Sequence, residues 1–146
     1  MLSELVAAFI LLAMCVIVHA GGLAWLLRRL LLRPKKMNHG MFGAVTLLIK
    51  VASWLLVFHL VEIAFWAFFF WLGGCLPNLE TAFYFSGVTY STVGYGDVVL
   101  PHEWRLLAPL EGLTGILMCG LSTGFFFVIV SRLSDRLSGL PIRDVK

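Results

Sequence analysis

The chain alternates long apolar runs with short polar stretches. Three runs, residues 5–27, 51–74 and 106–130, are each long enough to cross a bilayer, which takes roughly 20 apolar residues. The pattern predicts three membrane-spanning helices. Between the second and third runs lies another apolar, aromatic stretch, residues 79–91, of about three turns and too short to span. Pro77 and Asn78 before it read as a turn and a helix N-cap. Glu80 falls in the first turn, where a helix favours negative charge. A Gly-rich stretch and Pro101 follow. A half-helix that enters and comes back as extended chain is a re-entrant loop. Such backbone is tolerated at membrane depth only where protein buries it or water lines it. The predicted fold class is an all-α integral membrane protein with three transmembrane helices, one re-entrant helix and its loop.

Composition agrees with a life in lipid. Of 146 residues, 60% are hydrophobic and 13% charged, and the mean hydropathy is +0.96. That excludes an ordinary soluble domain. The net charge of +3 sits beside the apolar runs, so it reads as membrane topology and not as a nucleic-acid surface. Arg28, Arg29, Arg33, Lys35, Lys36 and Lys50 follow the first run, and Arg132, Arg136, Arg143 and Lys146 follow the third. Only Arg105 is left for the other side. The positive-inside rule then puts the N-terminus outside and the C-terminus in the cytoplasm, in the cell (plasma or inner) membrane. The first run has no basic residues ahead of it and carries Glu4, which argues against a cleaved signal peptide.

Other features narrow the chemistry. Cys15, Cys75 and Cys119 have no metal or redox spacing. Cys15 and Cys119 read as packing residues and Cys75 as a free thiol in a loop. No arginine ladder suggests a voltage sensor, and no nucleophile–base pair or metal-ligand cluster suggests an enzyme or a resident cofactor. The aromatics Phe65, Trp66, Phe68, Phe69, Phe70 and Trp71 read as lipid-facing anchors near the outer interface.

The decisive residues are Thr92, Val93, Gly94, Tyr95, Gly96 and Asp97. Gly94 and Gly96 can take positive φ, which lets successive carbonyls of an extended loop point one way. With the preceding stretch from Thr81 to Ser91, the run resembles the pore loop of the potassium channel superfamily. Residues 51–132 resemble the outer helix, pore loop and inner helix of small bacterial potassium channels. In that family, TVGYG carbonyl rings from four chains replace the ion's hydration shell. The resemblance implies a potassium-selective channel with K+ as the permeant ion. It implies a homotetramer, because one chain supplies one quarter of the ring. Thr92 would add a hydroxyl ring, Tyr95 would hold the loop's diameter, and Asp97 would concentrate cations at the outer mouth. The helix before the loop would aim the negative end of its dipole at the ion path. Some relatives place a glutamate behind the filter to bond the outer aspartate. Val88 stands at that position here, which leaves Asp97 to Tyr84 or to solvent.

The chain would then divide into an extra helix and basic loop (1–45), a pore domain (46–132) and a short tail (133–146). The extra first span has no counterpart in the family. Beyond lipid and its own copies, no soluble partner or nucleic acid is expected. A non-selective cation pore and a non-conducting membrane sensor or assembly subunit with a channel fold are the alternative readings.

The third run carries Gly112, Gly115, Gly120 and Gly124. By alignment outward from the filter, Gly115 falls at the family's hinge glycine, with close helix packing as the competing role. Packing is the expected role of the other three. Ile116, Cys119, Thr123 and Phe127 share one helix face and are candidate cavity residues, Phe127 as a constriction. His19, His59 and Glu62 fall inside the first two runs and Glu111 inside the third, where ionisable groups are expensive and face protein or water. His59 and Glu62 are three apart on one face, and His19 lies at a similar depth. They are expected to join the first two spans through a hydrogen-bond network, with proton-sensitive gating as its sharper form. Glu111 is expected to support the back of the filter, with Arg105 of its own or a neighbouring chain as a partner.

Overall fold

The computed structural model describes residues 2–32 and 41–137. Arg33, Lys35, Lys36, Arg143, Lys146 and residues 138–146 of the tail lie outside the described residues. The elements are α1 (Leu2–Leu31), α2 (Met41–Leu72), α3 (Leu79–Tyr90) and α4 (Leu107–Leu137), with no strand among the described residues. Helices α1, α2 and α4 are each long and apolar enough to cross a membrane. The chain is a multi-pass membrane protein.

The expected runs fall inside these helices, but the helices are longer. Helix α2 begins at Met41, ahead of the expected residue 51. Lys50 interrupts the apolar run without interrupting the helix, since lysine is a good helix former. At 32 residues α2 is about 48 Å long, well beyond a hydrocarbon core of about 30 Å. It ends where Gly74 takes φ +69°. There the amides of Cys75 and Leu76 fold back onto the Phe70 carbonyl at 2.9 and 3.2 Å. The expected N-cap is formed: Asn78 accepts from the Thr81 amide at 2.8 Å and starts α3.

Helix α1 lies against α2 and α4, and α3 is held between α2 and α4. Two apolar layers fill the space between the helices. The layer beside α3 joins Ala8, Leu11 and Cys15 of α1 to Trp66, Ala67 and Phe70 of α2 and to Met118 of α4. The other layer joins Leu26, Val51, Leu55, Phe58 and Ile129. A Cβ added to Gly22 would lie 2.6 Å from the Phe58 ring, so this glycine lets α2 approach α1.

The aromatic run of α2 departs from its expected role. Trp66 and Phe70 are fully buried, while Phe68 and Trp71 remain exposed. Residues 66 and 70 are one turn apart, on the face against α1 and α3. Among the cysteines, Cys15 is buried and Cys75 is a free thiol, both as expected, while Cys119, expected to pack, is exposed on α4.

Candidate functional site

The 92–97 loop leaves α3 through a tight turn. The Thr92 amide bonds the Thr89 carbonyl at 2.9 Å, and the amides of Val93 and Gly94 both reach the Val88 carbonyl, at 3.0 and 3.2 Å. Ser91 caps the helix, its hydroxyl on the Gly87 carbonyl at 2.7 Å. Positive φ then recurs at every second residue: Thr92 (63°), Gly94 (56°) and Gly96 (77°). Threonine there is unexpected from sequence, since a β-branched residue avoids this region. Such strain persists only where the surroundings impose it, and it gathers at functional loops. Val93 and Tyr95 are exposed, and the outward packing expected of Tyr95 is not made within the chain.

Asp97 finds the partner expected for it. The Tyr84 hydroxyl donates to its carboxylate at 2.6 Å. That bond holds the Asp97 carboxyl below the usual carboxylate range and pushes the Tyr84 phenol up. Glu111 lies behind α3, fully buried, and meets the hydroxyl of Ser86, which also donates to the Ile63 carbonyl at 3.0 Å. Within the chain the partner of Glu111 is Ser86 and not Arg105.

The second polar site sits between the two apolar layers and draws on all four helices. His19 Nδ1 lies 2.8 Å from Glu62 Oε1, as the expected network requires. Two residues that sequence reasoning missed complete it. Tyr90, at the end of α3, donates to Glu62 Oε2 and lies 3.0 Å from His59 Nδ1. Ser122 of α4 touches both imidazoles, His19 Nε2 at 3.1 Å and His59 Nε2 at 3.0 Å. Hydroxyl residues in an apolar run carry no charge to flag them, and Tyr90 lies outside the spans.

Proton counting assigns the state of this cluster. It contains five contacts. With Glu62 ionised and both imidazoles neutral, the tyrosine, the serine and the two rings supply only four protons. One contact stays empty, and a net negative charge is left in the membrane interior. A fifth proton, on an imidazole or on the carboxyl, fills every contact and makes the cluster neutral. Burial rewards both outcomes. Ligand atoms of His19, His59 and Glu62 lie within 4.8 Å of one another, a donor set compatible with a metal that linear spacing did not suggest. Each of these groups is engaged in the hydrogen bonds just described.

A family model described as an ion channel matches residues 43–132, more than half of the chain. The chain belongs to this ion channel family. Comparison with curated proteins and with solved structures returned no match. The matched region takes in α2, α3, the 92–97 loop and most of α4, and it leaves out α1.

In the channel's α4, the candidate cavity residues Ile116, Cys119, Thr123 and Phe127 are all exposed along one side of the single chain. Phe125 and Phe126 pack against the apolar layer that contains Phe58, so Phe127 alone of the three is free of it. Gly115 has a packing role: a Cβ there would lie 1.9 Å from the Tyr90 carbonyl oxygen. Gly112 lies near Thr89 in the same way, at 3.5 Å. The packing expected of Gly120 and Gly124 is not made within the chain, since nothing lies within 4 Å of their Cβ positions.

Proposed function

We propose that the channel is potassium-selective and works as a homotetramer, with four copies of the 92–97 loop around one axis and K+ as the permeant ion. The observation that carries this reading is the positive φ at Thr92, Gly94 and Gly96 in a TVGYGD loop at the end of a capped half-helix. Carbonyl rings of this kind coordinate a dehydrated K+ ion. Two features of the single chain favour assembly. Tyr95 is 71% exposed, and a cleft of about 520 Å³ runs beside the loop, lined by Tyr84, Val88, Thr92, Leu113 and Ile116 among others. An exposed aromatic side chain and an open cleft on one chain suit contacts with further copies that close into a ring. The N-terminus is then outside and the C-terminus cytoplasmic, by the charge distribution.

The test is flux from proteoliposomes of the purified channel. Potassium loading gives cation efflux that sodium loading does not support, and Gly96→Ala abolishes it. Equal sodium and potassium flux would establish a non-selective pore. Absence of any flux in a folded tetramer would establish a non-conducting role.

The proton count favours a second element of this reading: the cluster's fifth proton ties Ser122, and with it α4, to His19 and His59. Tyr90 is the other titratable group in contact with Glu62. Gating then responds to pH, and Glu62→Gln combined with His59→Ala flattens the response. An unchanged pH profile in that double variant would remove this element and leave selectivity untouched.

A further inference from the structure

At the end of the molecule away from the 92–97 loop, a cleft of about 620 Å³ lies between α1 and α2. Its walls are apolar, with Leu26, Leu47, Val51 and Trp54 prominent, and Arg28, Arg29 and Lys50 line it as well. All three cations are exposed. The ion pairs of His19 and His59 with Glu62 do not involve these cations. Arg29 instead lies over the Trp25 ring, 5.4 Å from its centre. Trp25 in turn meets Trp54 edge to face at 5.0 Å across the cleft.

The level of these residues in the membrane follows from the sequence. The first apolar run stops at Leu27, and the second starts at Val51. Arg28, Arg29 and Lys50 therefore mark the edge of the hydrocarbon, where lipid phosphates lie. Trp25 and Trp54 sit one turn inside them, the depth at which tryptophan collects. Cations on an apolar slot at phosphate depth match one kind of molecule from both ends: an anionic head and acyl chains.

We propose that this cleft binds an anionic glycerophospholipid, its phosphate held by Arg28, Arg29 and Lys50 and its chains lying against Leu26, Val51, Trp25 and Trp54. The chain's own residues 33–40 are a poor occupant. They carry Arg33, Lys35 and Lys36 and no acidic residue, so they repel the cations of the cleft. A second copy of the chain would bury three unpaired cations against an apolar face at a desolvation penalty that a phosphate avoids. The site is shared between α1, outside the matched region, and the start of α2, within it, and gives the extra helix a role in reading membrane composition. It goes beyond the proposed conduction and does not depend on it.

The experiment is tryptophan quenching of the full-length channel in lipid bicelles by brominated phosphatidylglycerol or brominated phosphatidylcholine. Trp25 and Trp54 are 40% and 43% exposed, open to a bromine in the cleft. Quenching is expected to saturate at roughly a hundredfold lower mole fraction of phosphatidylglycerol than of phosphatidylcholine. Arg28→Gln, Arg29→Gln and Lys50→Gln together remove that preference, and Arg28→Lys with Arg29→Lys keeps it. Trp25→Phe with Trp54→Phe removes the saturating signal. Equal quenching by the two lipids would overturn the proposal, as would a preference that survives the triple variant. Displacement by soluble glycerol 3-phosphate at matched concentration would also overturn it, since the cleft would then take the anion alone. If the triple variant fails to assemble, the lysine and phenylalanine pairs still decide between these outcomes.

Discussion

The 92–97 loop is contiguous in sequence, and its Val93 and Tyr95 side chains find no cover within the chain. The cluster around Glu62 has the opposite character. Its members come from residues 19, 59, 62, 90 and 122, and they satisfy one another inside a single chain. Both put polar groups between membrane-spanning helices, where water is scarce and an unmet hydrogen bond costs several kcal/mol. The cluster meets that demand internally. The loop leaves it open within the chain. The difference separates two kinds of polar site: the cluster joins four helices of one chain, and the loop is left exposed by the chain that carries it. The two touch at Tyr90, whose hydroxyl belongs to the cluster and which precedes the loop by two residues.

Substitution at Glu62 is the strongest way to break the comparison. Glu62→Ala leaves two imidazoles and a tyrosine without their common partner, and removal of one member of a buried charged set costs about 3–5 kcal/mol. Thermal unfolding of the purified subunit in detergent should show the loss. Gly96→Ala, by contrast, is expected to abolish flux while costing no more than about 1–3 kcal/mol of backbone strain. Equal unfolding behaviour of the two variants would mean that the cluster does not hold the subunit together.

Gly115→Ala tests the seam between the regions. The new Cβ meets the Tyr90 carbonyl, a backbone atom that cannot swing aside. Overpacking of this kind costs about 1–3 kcal/mol, offset by about 1 kcal/mol of helix propensity. A net loss of stability together with altered flux is expected, since α4 must move off the end of α3. A stable variant that stays closed would favour the hinge over the packing role.

The smallest effect is expected at Tyr84→Phe. Asp97 is held below its usual range by the Tyr84 hydroxyl, so its charge is present at neutral pH and is lost as pH falls through that lowered value. Without the hydroxyl, the carboxyl returns toward about 3.9 and takes up its proton at a higher pH. Conductance measured against pH on the loop side should fall at less acid pH than in the wild type and be unchanged near neutrality.

Much of this was legible from the chain as written. The three spans depend on summed hydropathy, a property of each segment alone. The Asn78 cap depends on neighbours within one turn. The Tyr84–Asp97 contact was legible because both residues flank one short helix and its loop. Other features were hidden. The lipid-facing role expected for Trp66 and Phe70 fails because apolar residues look alike in sequence, and only the neighbours of one helix face decide which are buried. Helix α2 starts early because a single lysine breaks a hydropathy window but not a helix.

What the sequence determined by itself is the membrane-spanning character, the half-helix and the 92–97 loop, all coded locally by composition, capping and glycine. Only the tertiary structure decided that Tyr90 and Ser122 join His19, His59 and Glu62, that Ser86 is the partner of Glu111, and that Gly115 lets α4 pass the end of α3. Those choices depend on which helix faces meet. Residues 19 and 122 become neighbours only after every intervening element has packed, and no local rule along the chain carries that information.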